Sequence, residues 1–543
     1  MSLPNEILRR RTFAIVSHPD AGKTTLTEKL LLYGGAVQMA GSVTSRKKER
    51  ATVSDWLEIE QKRGISVSST ILHFDYNGFR INLLDTPGHN DFSEDTYRVL
   101  TAVDSVIMVI DGGKGIEQQT LKLFEVCRKR KIPIITFINK MDRPSRDTLS
   151  LLDEIEKVLH ITPYPVNIPL GSGNEFKGVW DRRTKTAHLF ERTTGGAFRA
   201  PVKTCGLEDQ LVRDIVSEST YRTVCDELEM IDHVGESFHV GNIANGTMTP
   251  VFFGSAVNNF GLELLLNGFL EFSPPPQPRQ SKNITVEPES DFFSGFVFKI
   301  QANLNPKHRD RMSFIRIVSG KFTRDMPVIH TRTGKKLRLS NSNNVFGRER
   351  TSVDEAWPGD VIGFVGGEFL NIGDTLCEKP DIAYREVPRF APECFVYLHN
   401  PEPSNYKRFQ KGLEQLVQEG LVHIFTKKNA LDKNALLGAV GPLQFDLVQF
   451  RLESEYGAAS RIEATAWKII HWLDTKSVEP TQLSIPHKSA LVQDDDGRSA
   501  ILFEGDWQVR HFREKNPSVV LIDNLYNKEP DESVQIVDTT YAS

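Results

Sequence analysis

Five short stretches stand in a fixed order in the first half of this 543-residue chain: SHPDAGKT at 17–24, RGIS at 63–66, DTPGH at 85–89, NKMD at 139–142 and GSA at 254–256. Four of them sit at the end of an apolar run: FAIVS (13–17), RINLLDT (80–86), PIITFINK (133–140) and PVFF (250–253). Runs apolar on both faces are strands covered on both sides, and polar loops at their ends leave little freedom in how such strands associate. The arrangement predicts a mostly parallel α/β sheet with the five loops gathered beyond the C-terminal ends of its strands.

The rest of the first 145 residues agrees. ILHFDY (71–76) and SVIMVID (105–111) read as further strands. TLTEKLLLYG (25–34) reads as a helix stopped by Gly34, and GIEQQTLKLFEVCRKRK (115–131) as another. The second carries its cationic end where the helix dipole favours it. A chain of this length exceeds one core, so three or four domains are expected. Five cysteines without a CxxC pair argue against a disulfide framework or a zinc site. No apolar run is long enough to span a membrane and the N-terminus lacks a signal-peptide layout, so a cytoplasmic chain without a membrane partner is expected. The net charge of −5 gives no global sign of a nucleic-acid partner, though local basic patches suffice for one.

SHPDAGKT joins a strand to a helix, as a phosphate-binding loop does. Ser17 stands where the strict pattern GxxxxGK[ST] has its first glycine, and serine follows the turn provided its φ stays negative. The backbone of Ser17, His18, Pro19, Asp20, Ala21 and Gly22, with the helix N-terminus, is then suited to cradle phosphates. Lys23 reaches the β- and γ-phosphates as a point charge, and the Thr24 hydroxyl is a ligand for Mg²⁺. In DTPGH, Asp85 is expected to hold Mg²⁺ through water, and Asp85, Thr86, Pro87 and Gly88 are expected to line the phosphates, with the Gly88 N–H facing the γ-phosphate. A lone loop histidine usually has no role. His89, one residue past a phosphate sensor, is instead the candidate catalytic group that orients the attacking water.

NKMD and GSA address the base. Asp142 can accept two hydrogen bonds from the N1–H and exocyclic amine of guanine, an arrangement adenine lacks. Asn139 is expected to brace the loop and contact the base edge, and the Lys140 stem to lie along the purine. Met141 completes the loop, and in GSA, Ser255 and Ala256 follow the strand, with the Ala256 N–H offered to guanine O6. The plainer alternative for Asp142 is a helix N-cap, and the two roles are compatible. Between the first helix and strand 71–76 runs a long polar stretch, 35–66, containing RKKER at 46–50. It is either an ordinary charged surface loop or a segment ordered when the Ser66 hydroxyl joins the metal beside the γ-phosphate. The second reading makes the chain a switch between GTP and GDP.

With these residues in hand, the chain resembles the translational GTPases of the elongation-factor superfamily, which share the DTPGH and NKMD strings and the RGI switch sequence. More narrowly it resembles bacterial class II release factors, the peptide chain release factor three family. The stretches SHPDAGKTTLTEKLLLYGGAVQMAGSV, ATVSDWLEIEQKRGIS, VDSVIMVIDGGKGIEQQTLKLFEVCR and VGPLQFDLVQFRLESEYG carry that likeness. Ser17 and Ser66 depart from the superfamily's usual Gly and Thr but suit this subgroup. The resemblance runs from about residue 6 to 475.

It implies a multidomain α/β and β fold. A P-loop GTPase domain at 1–273, with an inserted subdomain at about 160–248, is followed by a linker at 274–290 containing PPPQPR. A translation-factor-type β-barrel at 291–385 and a ferredoxin-like α+β domain at 386–475 come next. Residues 476–543 are read as a C-terminal extension of the third domain with a flexible tail. In the insertion, 176–191 reads as a hairpin and 207–219 as a helix; 262–272 reads as the helix closing the first domain. In the third domain Phe409, Leu413, Leu416 and Val417 share one helix face, and Leu443, Leu447 and Phe450 another. Basic clusters in the barrel (Lys307, Arg309, Arg311; Lys335, Lys336, Arg338; Arg348, Arg350) are candidates for rRNA phosphates or plain solvated loop charges.

The family further implies a monomeric, ribosome-dependent GTPase that hastens departure of class I release factors in translation termination. Its partners are rRNA and ribosomal proteins, the class I factors, and GTP or GDP with Mg²⁺. No arginine finger is identifiable, so slow hydrolysis alone and stimulation by the ribosome are expected, as activators give other GTPases ~10⁵-fold. The alternatives are another ribosomal GTPase, translocase-like or a ribosome-protection factor, or a GTP-gated scaffold without turnover.

Overall fold

The computed structural model describes residues 2–36, 60, 66–191, 198–234, 238–282, 284–303, 310–346, 349–367, 369–384, 387, 390–427, 435–474 and 483–523. Most of the expected switch segment 35–66, three of the basic-cluster residues (Lys307, Arg309, Arg348) and the tail beyond 523 lie outside the described residues. Two compact units are present, Met1–Val387 and Pro388–Ser543.

The first unit opens with a seven-stranded sheet. Its strands are β1 (Arg10–Ser17), β2 (Thr70–Tyr76), β3 (Phe79–Asp85), β4 (Ser105–Asp111), β5 (Ile134–Asn139), β6 (Thr162–Pro165) and β11 (Met248–Phe253), in the order β2-β3-β1-β4-β5-β11-β6. Only β2 is antiparallel to its neighbour. β6 has the sequence TPYP, which reads as a turn; its two prolines are tolerated at a sheet edge. Because β6 pairs with β11, the extra sheet starts after it. That sheet is antiparallel, in the order β10-β9-β8-β7, from β7 (Asn167–Leu170), β8 (Gly178–Asp181), β9 (Thr186–Phe190) and β10 (Val202–Cys205).

The parallel sheet buries apolar side chains against its helices. Phe13 and Ile15 of β1 share a core with Leu26 and Leu30 of helix Lys23–Tyr33 and with Leu265 and Phe269 of helix Leu262–Phe272. The Phe13 and Phe269 ring centroids are 4.3 Å apart. Each such side chain contributes ~1.5–3 kcal/mol by leaving water. The helix Lys23–Tyr33 stops at Gly34, its C-cap with φ −72°, and Gly35, at φ +69°, takes the left-handed position after it. The helix expected over 207–219 is two helices, Gln210–Ile215 and Glu218–Val234. Ser217 breaks it, its hydroxyl accepting the Thr220 N–H as a helix cap does.

After a short hairpin of β12 (Arg279–Gln280) and β13 (Thr285–Val286) comes an eight-stranded antiparallel sheet. It comprises β14 (Ser294–Ala302), β15 (Arg311–Ser319), β17 (Pro327–His330), β18 (Lys335–Arg338), β19 (Ser342–Phe346), β20 (Glu349–Ser352), β22 (Val361–Val365) and β23 (Thr375–Cys377). The pair β16 (Phe322–Thr323) and β21 (Glu355–Ala356) covers it. Val297, Ile315, Val328, Ile362 and Leu376, from five different strands, meet in one core, so the sheet curls into a barrel. Arg311 is buried and donates to the Leu370 carbonyl, and Arg350 pairs with Asp310, so neither is a free phosphate ligand; Lys335, Lys336 and Arg338 lie on β18 at the sheet's edge, all three exposed.

Barrel and parallel sheet join through buried polar contacts. Thr12 Oγ1 donates to the Gly359 carbonyl at 2.7 Å and Arg10 Nε to Asp360 Oδ2 at 2.8 Å. Arg316 Nη2 donates to Asp104 Oδ2 at 2.6 Å, and Arg279, from the segment expected as a linker, donates to the carbonyls of Thr101 and Val103.

The second unit begins with β24 (Cys394–His399), helix Tyr406–Gln418, β25 (His423–Lys427), β26 (Ala435–Ala439), helix Pro442–Tyr456 and β27 (Arg461–Ala464), in the strand order β27-β24-β26-β25. This is the ferredoxin-like split βαβ arrangement. Phe409, Leu413 and Leu416 face its core, joined from the second helix by Phe445, Val448 and Leu452. That helix is apolar on more than one face, and Leu443 and Phe450, expected as its core stripe, are only half-buried. The sheet then continues through β25 into β29 (Ala490–Gln493), β30 (Ser499–Phe503), β28 (Ile469–Leu473) and β31 (Leu521–Ile522).

Candidate functional site

Parallel register brings the ends of β1, β3, β4, β5 and β11 to one edge. Ile15 pairs with Asp85, Asp111 with Asn139, and Phe253 with Ile138. The loops leaving these ends carry the residues singled out above.

The phosphate loop leaves β1 at Ser17, which keeps a negative φ, as its substitution for glycine requires. Asp20 (φ +67°) and Gly22 (φ +99°) make the reversal, and a Cβ on Gly22 would collide with Asn139 Nδ2. Glycine is thus demanded twice at position 22, by conformation and by space. Ala21 is buried, and its N–H donates to the His18 carbonyl at 3.2 Å. His18 Nε2 lies 3.2 Å from Glu117 Oε1, tying the loop to the residue before helix Gln118–Lys129. Gly22 precedes helix Lys23–Tyr33, and no side chain caps that helix. Its first N–H groups and the positive end of its dipole therefore point into the loop, a ready anion cradle. Lys23 is buried and its Nζ pairs with Asp85 Oδ1. Thr24 Oγ1 stands 3.4 Å from Ser66 Oγ, so residues 42 apart in sequence present two hydroxyl oxygens to one point.

Past Asp85, Thr86 Oγ1 donates to the Ile15 carbonyl at 2.7 Å, and the Pro87 carbonyl accepts from Thr96 Oγ1 at 3.3 Å. A Cβ on Gly88 would meet only Pro19 Cα, at 3.8 Å. The loop therefore runs beside the phosphate loop, and the protein's own packing does not require glycine there. His89 starts the turn Asn90–Phe92; its Nδ1 receives the Asp91 N–H at 3.3 Å and lies 3.1 Å from Asp91 Oδ1. Its side chain is 38% exposed. Nδ1 is thus engaged within its own loop.

The base loops are tied to the phosphate loop by Asn139. Its Nδ2 donates to the Ala21 carbonyl at 2.8 Å, and its Oδ1 accepts the Ala256 N–H at 2.9 Å. Both ends of the buried amide thus work as a brace. The Ala256 N–H expected to meet guanine O6 and the Asn139 edge expected to meet the base are paired with each other. Lys140, at φ +67°, extends its ammonium to the Asp20 carbonyl and to Asp111 Oδ2 at 2.8 Å. Burial pushes the Asp111 carboxyl up, but the Lys140 ammonium and the Gly113 N–H outweigh it, and the group lies below its ordinary value. Sequence reading missed Asp111; its signal was its place at the end of β4, in register with Asn139. Met141 is buried and donates its N–H to the Gly254 carbonyl at 3.1 Å. Asp142 Oδ1 accepts from Ser255 Oγ at 2.6 Å. The N-cap of the next helix is Asp147, which accepts from Ser150 N, so Asp142 is free of that duty.

Family models match in three consecutive blocks. The elongation factor Tu GTP binding domain matches residues 8–275, elongation factor G domain 2 matches 292–379, and the C-terminal domain of class II release factor RF3 matches 384–513. Peptide chain release factor 3 of Gloeobacter violaceus is 52% identical over 517 residues, covering 95% of this chain and 97% of that protein. The proteins of the same name from Synechocystis sp. and Acaryochloris marina are 50% and 48% identical, covering 93% and 96% of this chain and the same shares of theirs. A crystal structure of a Thermus thermophilus protein has a similar fold, with TM-score 0.68 at 21% identity, covering 90% of this chain and 72% of that one. Sequence shared along nearly the whole length, over a GTPase domain, a barrel and a release-factor C-terminal domain, means that the chain belongs to the peptide chain release factor 3 family of translation-termination GTPases.

Proposed function

We propose that the chain is a ribosome-stimulated GTP hydrolase that acts as a monomer in the cytoplasm and hastens departure of class I release factors after peptide release. The observation that carries the switch chemistry is the meeting of Thr24 and Ser66 hydroxyls beside the Lys23–Asp85 pair. An all-oxygen donor set on loops suits a hard cation. Thr24 and Ser66 would hold Mg²⁺ directly and Asp85 through water, and the ion would neutralise charge on the β- and γ-phosphates. Ser17 to Gly22 and the open helix N-terminus bind the phosphates, as does the Gly88 N–H; Lys23 turns from Asp85 to them. Asp142, held by Ser255, takes the guanine N1–H and amine. Met141 and Ser255 support it, the Lys140 stem flanks the purine, and the Asn139 brace keeps Ala256 close to the base edge. His89 Nε2 orients water at the γ-phosphate, with Thr86 and Pro87 fixing the loop.

His89 is half-buried and its Nδ1 contacts lie within its own loop, which supports slow turnover until the ribosome presses it inward. GTP turnover with and without ribosomes, for wild type and His89→Ala, tests this. The expected result is stimulation in the wild type that the variant lacks, with GDP affinity kept. Equal stimulated turnover in both proteins removes His89 from the mechanism. No turnover in either leaves a GTP-gated scaffold. Dissociation of a class I release factor from ribosomes, unchanged on adding this protein with GTP, refutes the recycling role.

A further inference from the structure

The barrel strand β14 contains a lysine its own core cannot use. Val297 and Ile300 both face the barrel core. Strict alternation would place 297 and 299 on the same face, and a register shift between Val297 and Lys299 against β15 breaks it. A bulge of this kind re-aims a side chain. Lys299 is thereby turned outward, onto the GTPase domain, where it is only 5% exposed. Its ammonium donates to Ser68 Oγ at 2.8 Å, to Ser69 Oγ at 2.7 Å and to the Ser69 carbonyl, and lies 3.9 Å from Asp95 Oδ2. The same Asp95 oxygen accepts the Ser69 N–H at 2.7 Å.

The grasped positions adjoin the two stretches expected to sense the γ-phosphate. Ser68 and Ser69 follow Ser66, whose hydroxyl meets Thr24. Asp95 lies in helix Ser93–Thr101, directly after the DTPGH loop and His89. A buried ammonium is costly unless its donors are all engaged, so this contact persists only while both segments hold their places. We infer that Lys299 is a positioning residue that selects the triphosphate state: it fixes the ends of both sensing segments before nucleotide arrives. Ordering a residue's backbone costs about 1–2 kcal/mol, so prefixing Ser68 and Ser69 favours whichever nucleotide needs them ordered. By linkage, a force that lifts the barrel off Lys299's acceptors lowers the preference for GTP by the same factor. The inference rests on the GTP/GDP reading of the site.

The test is the dissociation constants of fluorescent GDP and of a fluorescent, non-hydrolysable GTP analogue, measured on the full chain for wild type, Lys299→Met, Lys299→Arg and Ser68→Ala. For Lys299→Met the analogue should bind at least about tenfold more weakly, the size of a lost charged hydrogen-bond set, with GDP affinity changed less than about threefold. Ser68→Ala, the loss of one hydroxyl at a half-buried position, should shift the same ratio in the same direction by less, and Lys299→Arg should restore part of it. A merely structural lysine would lower the melting temperature and both affinities together, and that outcome overturns the inference. So does an unchanged ratio in both Lys299→Met and Ser68→Ala. Failure of the wild type to prefer guanine over adenine nucleotides would instead refute the underlying site reading.

Discussion

Replacing Asn139 by alanine separates bracing from base recognition. The substitution removes two hydrogen bonds and leaves their partners, the Ala21 carbonyl and the Ala256 N–H, on residues that are 2% and 0% exposed. A buried backbone group left without a partner costs about 1–3 kcal/mol, so two cost ~2–6 kcal/mol before any relaxation or water entry. Taking ~3 kcal/mol, a domain of this size should lose roughly 6–12 °C in melting temperature, because each kcal/mol is worth about 2–4 °C. The assay is thermal and urea unfolding of nucleotide-free protein, since bound nucleotide would stabilise by mass action and mask the effect. Asn139→Asp makes a sharper control. One carboxylate oxygen can still accept the Ala256 N–H, while the other faces the Ala21 carbonyl, so it should be no more stable than the alanine variant. A nucleotide-free Asn139→Ala protein that melts with the wild type refutes the brace, whatever happens to its affinity.

Asp142→Asn should weaken guanine nucleotide binding by up to ~10⁴-fold and favour xanthosine nucleotides, whereas Ser255→Ala, which removes the bond that orients Asp142 and the acceptor of the Asn258 N–H groups, should cost ~10-fold; competition binding reads both. Arg316→Met breaks a fully buried pair and leaves Asp104, whose side chain is 0% exposed, with only the longer contacts from Arg279 at 3.6 Å and the Gln277 N–H at 3.4 Å, so a loss of ~3 kcal/mol in chemical denaturation is expected, and Arg316→Met combined with Asp104→Leu should recover part of it. Glu227 gives a pH effect: burial first, then the charge of Asp147, lifts its carboxyl from the ordinary 4.5 to about 7 against the opposing Thr148 hydrogen bond. Between those values the folded chain holds a proton that the unfolded chain has released, so this group's stabilisation is complete below about pH 4.5 and lost as pH rises through about 7. The melting temperature of Glu227→Gln relative to wild type should therefore rise from pH 5 to pH 8; a constant difference sinks the assignment.

Most of the parallel sheet was legible in the chain because its strands are short apolar runs ending in motif loops, and both signals are local. Ser17 could be accepted in the phosphate loop from backbone chemistry alone, and the negative φ at that position agrees. The edge strand Thr162–Pro165 escaped because prolines at an edge look like a turn. The break at Ser217 escaped because one hydroxyl cap outweighs a helical pattern. In the second unit, the helix Pro442–Tyr456 offers more than one apolar face, and only packing chose Phe445, Val448 and Leu452 for the core.

The sequence by itself determined the chemistry on offer: which residues stand at the strand ends, in which order, with Asp142 and Lys23 on the right loops. Tertiary structure alone decided how that chemistry is shared out. The Asn139 amide is spent on Ala21 and Ala256, Lys140 reaches Asp111, and a bulge sends Lys299 out of its barrel to Ser69. These pairings join residues far apart in the chain. Periodicity and propensity act over a few residues, whereas a side chain's partner is set by sheet register and by domains meeting face to face.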